Sequence, residues 1–172
     1  MDDRPGQEEL SLKSIYNRAL LNRKVLLPIT SIGKNIKEVL QEDIGFMFEG
    51  KCVKEGYIKK GSTKIITYSS GDMRRGGQVN FEIMFECYLC YPVEGMILSC
   101  IAKEITKAGI QAVSATEDPS PIIVFIARDH NVDFETFSKV KEGDKVMVRV
   151  IGQRFELNDT YISILGELWK KY

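Results

Sequence analysis

The sequence predicts an α+β chain, mainly β, in which one helix packs on an antiparallel sheet and a small five-stranded barrel follows. Three observations predict it. Val79, Phe81, Ile83, Phe85, Cys87, Leu89 and Tyr91 alternate with Gln78, Asn80, Glu82, Met84, Glu86, Tyr88 and Cys90, the period of a long strand with one wholly apolar face. Upstream, Ile32, Ile36, Val39, Leu40 and Ile44 fall on one helical stripe, with Lys34, Lys37, Glu38, Gln41 and Glu42 opposite. Downstream of Pro92 the pattern is strand-like throughout, broken by turn signals and one short helix within 132–140.

In chain order, residues 1–24 read as a partly disordered leader, polar at first, with a mixed run over 12–21 that fits one or two helical turns. Val25 to Ile29 is a short strand that Pro28 confines to an edge or an end. Ser31 is placed to cap the helix and Gly45 to stop it. Lys51–Val53 and Gly56–Ile58 form one extended stretch with bulges at Gly50 and Gly56, and Lys64–Tyr68 forms another. Residues 71–77 are a Gly-rich turn before the long strand. This first unit covers 25–91. The second, 92–172, has strands over 96–104, 109–113, 122–126, 145–152 and 161–166, with a hairpin turn at Asn158-Asp159. Five strands with a short helix between the third and fourth describe an OB barrel.

Composition narrows the function. Lys+Arg and Asp+Glu are equal at 24 each, whereas a protein built mainly to grip duplex nucleic acid is usually clearly basic, so any nucleic-acid contact rests on a local patch. No apolar run approaches the ~20 residues that span a bilayer, and the polar amino terminus carries no apolar signal segment, so the expectation is an intracellular protein. Cys87-Tyr88-Leu89-Cys90 has metal-ligand spacing, but a strand points residues three apart to opposite faces and no second ligand pair exists. No metal or cofactor is expected. His130, the sole histidine, lies near Asp129, Asp133 and Glu135 without a nucleophile or phosphate loop close in sequence, and reads as a surface residue rather than an acid–base catalyst.

Two basic groups remain. Lys51, Lys54, Lys59, Lys60, Lys64, Arg74 and Arg75 make the first unit locally basic, which fits either a surface for RNA or an acidic partner, or a solvated sheet edge. Lys103, Lys107, Arg128, His130, Arg149 and Arg154, with Phe125, are candidates for one face of the barrel that binds single strands weakly, with salt sensitivity and little sequence preference.

Leu27-Pro28, Gly33-Lys34-Asn35-Ile36, Leu40, Phe48, Gly50-Lys51-Cys52, Gly77-Gln78-Val79 and Phe81 resemble the opening of the larger stalk subunit of multisubunit DNA-directed RNA polymerases, the seventh-subunit family of RNA polymerase II and its archaeal equivalent. Gly95-Met96-Ile97, Lys107-Ala108-Gly109-Ile110, Gly143-Asp144 with Val146, Val148 and Val150, and Asn158-Asp159 with Tyr161, Ile162 and Ile164 resemble an S1-type OB fold. The resemblance covers about Leu27 to Leu168, and its divergence would suit a large DNA virus or an early-branching eukaryote. It implies a non-catalytic subunit whose tip domain docks on the polymerase core through Ile32, Gly33, Arg74 and Arg75, and whose OB domain contacts nascent single-stranded RNA. It also implies a smaller stalk partner and a site of action where transcription occurs: the nucleus, or cytoplasm and virion for a viral member. One departure bears on RNA: the second barrel strand has Ile110-Gln111 where an aromatic is common. The rival reading is a free-standing single-stranded RNA-binding S1-domain protein of translation or RNA decay, which gives the first unit no task.

Overall fold

The computed structural model of the chain describes residues 14–130 and 134–171. The first half forms one six-stranded sheet. Its elements are β1 (Asn17–Pro28), a 3-10 turn (Ile29–Ser31), α1 (Ile36–Phe48), β2 (Cys52–Val53), β3 (Gly56–Ile58), β4 (Lys64–Tyr68), β5 (Asp72–Arg74) and β6 (Gln78–Cys90). β6 is the axis. β1 runs antiparallel along one edge of it, from Asn17 opposite Leu89 to Pro28 opposite Gln78. The other edge is shared in turn by β5, β4 and β3, and β2 pairs with β3.

The alternation of β6 determines where the core lies. Val79, Phe81, Ile83, Phe85 and Cys87 are buried against Leu40 and Ile44 of α1, with Leu21, Val25 and Leu27 of β1 completing the layer. Phe85 is fully enclosed and stacks on Phe48, ring centroids 5.7 Å apart. Gln41 clasps the helix to β4: its Nε2 donates to the Thr63 carbonyl at 2.9 Å, and its Oε1 accepts from the Ile65 N–H at 3.0 Å.

The second half is a closed barrel in the order β10-β11-β9-β8-β7. Its strands are β7 (Ile97–Ile105), β8 (Gly109–Ser114), β9 (Ile122–Ala127), β10 (Lys145–Arg154) and β11 (Ile162–Lys171), with a 3-10 turn (Arg128–His130) and α2 (Phe134–Ser138) between β9 and β10. β9 and β11 are parallel and every other pair is antiparallel, which is the OB topology expected from the sequence. Ile110, Ile122, Val124, Ile126, Val146 and Ile162 fill the interior without exposure to solvent.

Several boundaries differ from the sequence reading. Residues 17–24 belong to β1 and not to a leader, because Leu21 and Val25 must reach the core that Phe85 and Phe81 line on the partner strand. Residues 1–13, the rest of that leader, lie outside the described residues. The helix starts later than Ser31, since the Ile29 N–H is tied to the Gly77 carbonyl at 2.8 Å and holds 29–31 in a 3-10 turn. It also passes through Gly45. Glycine costs about 1 kcal/mol inside a helix, which the packing of Phe48 one turn later offsets, and the stop falls at Gly50, whose φ of 72° glycine adopts without strain. Residues 51–58 fold back as the β2–β3 hairpin instead of one extended stretch. The turn over 71–77 contains β5, and β11 extends to Lys171.

Phe85→Ala should lower the unfolding free energy by about 3–5 kcal/mol, whereas Phe46→Ala, at a side chain 82% exposed, should change it by less than about 0.5 kcal/mol; urea titrations followed by circular dichroism separate the two.

Candidate functional site

The sheet ends, at its distal corner, in an apolar cleft of about 390 Å³. Ile29 and Ile32 from the turn after β1, Ile36 from the first turn of α1, Met73 from β5, and Val79 and Phe81 from β6 line it. Gly71 keeps the wall close: a side chain there would meet Val79 Cγ1 at 2.5 Å. Of the residues singled out in sequence for docking, Ile32 and Gly33 line this cleft, and Arg74 and Arg75 stand exposed just beyond it. Arg74, at the end of β5, makes a 3.4 Å pair with Asp72 at its start. The structure thus brings these four residues to one corner.

The barrel candidates do not share one face. Lys103 is the extra residue of a bulge in β7, and Lys107 sits in the β7–β8 loop. The Arg128 N–H donates to the Ala108 carbonyl at 3.1 Å, which draws the turn after β9 to the same end as Lys107. Phe125 projects outward on β9, 40% exposed, between Gln111 of β8 and Leu165 of β11. Its ring lies over Gly109, where an added Cβ would approach Cζ to 3.0 Å. Arg149 lies at the opposite end of β7, across from Ile97, and is held by Glu167 of β11. Arg154 ends β10, 4.0 Å from Glu156. His130 closes the 3-10 turn after β9, and its side chain lies outside the described residues.

Sequence reasoning missed how the halves join. The Cys52 N–H donates to the Asp159 carbonyl at 2.8 Å, and the Asn158 N–H donates to the Cys52 carbonyl at 2.9 Å, so the β10–β11 loop continues the sheet beyond β2. Asn158 adopts a φ of 69°, which Asn tolerates better than most residues. Tyr16, Cys52, Tyr57 and Cys90 from the sheet are packed in one cluster with the barrel interior. The Asn158-Asp159 turn and the extended run at Lys51–Val53 were each visible in sequence; their pairing with one another was not.

Burial pushes the Cys90 and Cys100 thiols up to about 12 and the Cys52 and Cys87 thiols up to about 11. Cys87 packs in the sheet core and Cys90 in the cluster with the barrel, so the two sulfurs of the Cys-x-x-Cys pair serve different cores. Among the described residues no group of three His, Cys, Asp or Glu is placed to hold a metal. At pH 8 the four free thiols should react with a disulfide reagent at well under the rate of a free cysteine, and all four should react at once in denaturant; a fast-reacting thiol in the native protein would contradict their burial.

The structure joins a sheet backed by one helix to an OB barrel, with a basic-edged cleft at one corner and an exposed aromatic on the barrel. No protein-family model matches the chain. It is 26% identical over 92% of its length to a protein of Acanthamoeba polyphaga mimivirus provisionally named DNA-directed RNA polymerase subunit L376, covering 84% of that protein. It is 24% identical to DNA-directed RNA polymerase II subunit 7 of Arabidopsis thaliana, over 89% of the chain and 98% of the relative. Subunit RPB7 of RNA polymerase II from Glycine max is 20% identical over 86% of the chain and 89% of its own length. The chain is a divergent relative of the seventh-subunit proteins of DNA-directed RNA polymerases.

Proposed function

We propose that the chain is a non-catalytic stalk subunit of a DNA-directed RNA polymerase. Residues 25–91, extended upstream by β1, act as the tip that docks on the polymerase core, and residues 92–172 act as the domain beside emerging RNA. The observation that carries this reading is the shared order and extent of both halves with the polymerase subunits above, over about nine-tenths of the chain. The interlock at Cys52 supports it, because a stalk has to transmit position from its docking end to its RNA end without a loose joint.

The pinned β10–β11 loop leaves the opposite end of the barrel open. RNA contact therefore falls to Phe125, for stacking, and to Lys107 and Arg128, with Lys103 alongside. Arg149, across from the start of β7, and Arg154, at the end of β10, lie away from that end and contribute less. A smaller stalk partner packs along the chain. The free-standing RNA-binding reading gains support only from the barrel.

Fluorescence anisotropy with a labelled single-stranded oligoribonucleotide tests the RNA half. The isolated chain should bind with a dissociation constant above roughly 1 μM at physiological salt, weakening steeply as salt rises. Phe125→Ala should cost about 1–3 kcal/mol of that affinity. Nanomolar binding by the chain alone would favour the free-standing reading. Arg74→Glu with Arg75→Glu should reduce co-purification with polymerase subunits, and unchanged recovery would count against docking at that corner.

A further inference from the structure

The distal cleft has a composition that selects its occupant. Its lining is mostly apolar, with Ile32, Ile36, Val79 and Phe81 joined by Tyr68, Ser69 and Ser70. Its lips, Ile29 and Met73, leave 49% and 60% of their surface to solvent, far more than branched or thioether side chains at a sheet corner need expose. Around it the charge is mostly positive. In the segments that build the cleft, residues 29–38 and 68–77, the charged side chains are Lys34, Lys37, Arg74 and Arg75 against Glu38 and Asp72, all exposed, in a chain whose total charge is zero.

We infer that this cleft receives a large apolar side chain carried on an acidic peptide segment of the polymerase core. The inference rests on the stalk-subunit reading and adds the chemistry of the partner at the docking corner. Burying the anchor with Ile29 and Met73 removes apolar surface from water on both sides, which is the main driving force. The rim sets which segment is accepted: acidic residues flanking the anchor complement Lys34, Lys37 and Arg75, while a basic flank is repelled. Asp72 is already occupied by Arg74, so the corner remains cationic toward a partner. A free anion would be held by the rim and leave the apolar floor empty. A neutral apolar segment would fill the floor and gain nothing from the rim.

The test uses the full chain, tagged and expressed in its native source, with a benzoylphenylalanine photocrosslinker in place of Met73. Crosslinked peptides identified by mass spectrometry should come from a polymerase core subunit and carry Asp or Glu on either side of a Leu, Ile, Met or Phe. In parallel, Ile29→Asp and Met73→Asp should each lower polymerase recovery at least tenfold, while Met84→Asp, on the sheet face away from the helix, should not. Circular dichroism of the variants confirms their folding, which both exposed positions tolerate. Full recovery of polymerase with Ile29→Asp and Met73→Asp, or a crosslinked segment that is basic or uncharged, would overturn the inference while leaving the stalk reading intact. Recovery of no polymerase subunit by the unaltered chain would overturn both.

Discussion

The register of β6 is the constraint on which the rest depends. Over 13 residues it presents buried apolar side chains on one face from Val79 to Cys87, and a shift of one position would turn that whole set to solvent. Every other strand of the sheet except β2 pairs with it directly, so its register places β1, β3, β4 and β5 at once. Its last residue, Cys90, already belongs to the cluster that contains the barrel interior. One strand therefore sets the docking corner at its start, through Val79 and Phe81, and the junction at its end.

The junction converts two small folds into one body. Below about 70–80 residues a core is marginal by itself, and the sheet and the barrel each sit near that size. Tyr16 and Tyr57 close the gap between them, their rings 6.4 Å apart, with the Lys59 ammonium 5.1 Å from the Tyr16 ring. Burial raises both phenols above their ordinary range. Arg23, which points inward from β1, is held by Glu55 and lies over Phe48 at 5.8 Å. For Glu55 burial acts to raise the carboxyl, but the hydrogen bond and charge of Arg23 prevail and hold it below its ordinary value.

Much of this was legible in the residues because period-2 and period-3.6 patterns are consequences of burial on one face. The β6 alternation, the Leu40–Ile44 stripe and the apolar run at Ile122–Ile126 were read from that signal and stand in the structure. What escaped was decided by tertiary contacts. Residues 17–24 are too mixed to announce a strand, and only pairing with β6 makes them one. The helix ends were set by a backbone bond from Ile29 to Gly77 and by packing of Phe48, neither visible in local propensity. Gln41, assigned to the solvent face, is the clasp to β4. The four docking candidates converge because one turn and one short strand meet at a corner, whereas the barrel cations disperse because they come from three separate stretches of sequence that the strand order sends to different ends of the barrel.

The central claim is that this chain works as part of a polymerase. Affinity purification of the tagged chain from its native source, followed by size separation and mass spectrometry of the bound proteins, tests it most directly. The account predicts the large polymerase subunits in near-equal amounts with the chain, co-eluting as one assembly. Recovery of ribosomal or RNA-decay proteins in their place, or of the chain alone, would contradict it.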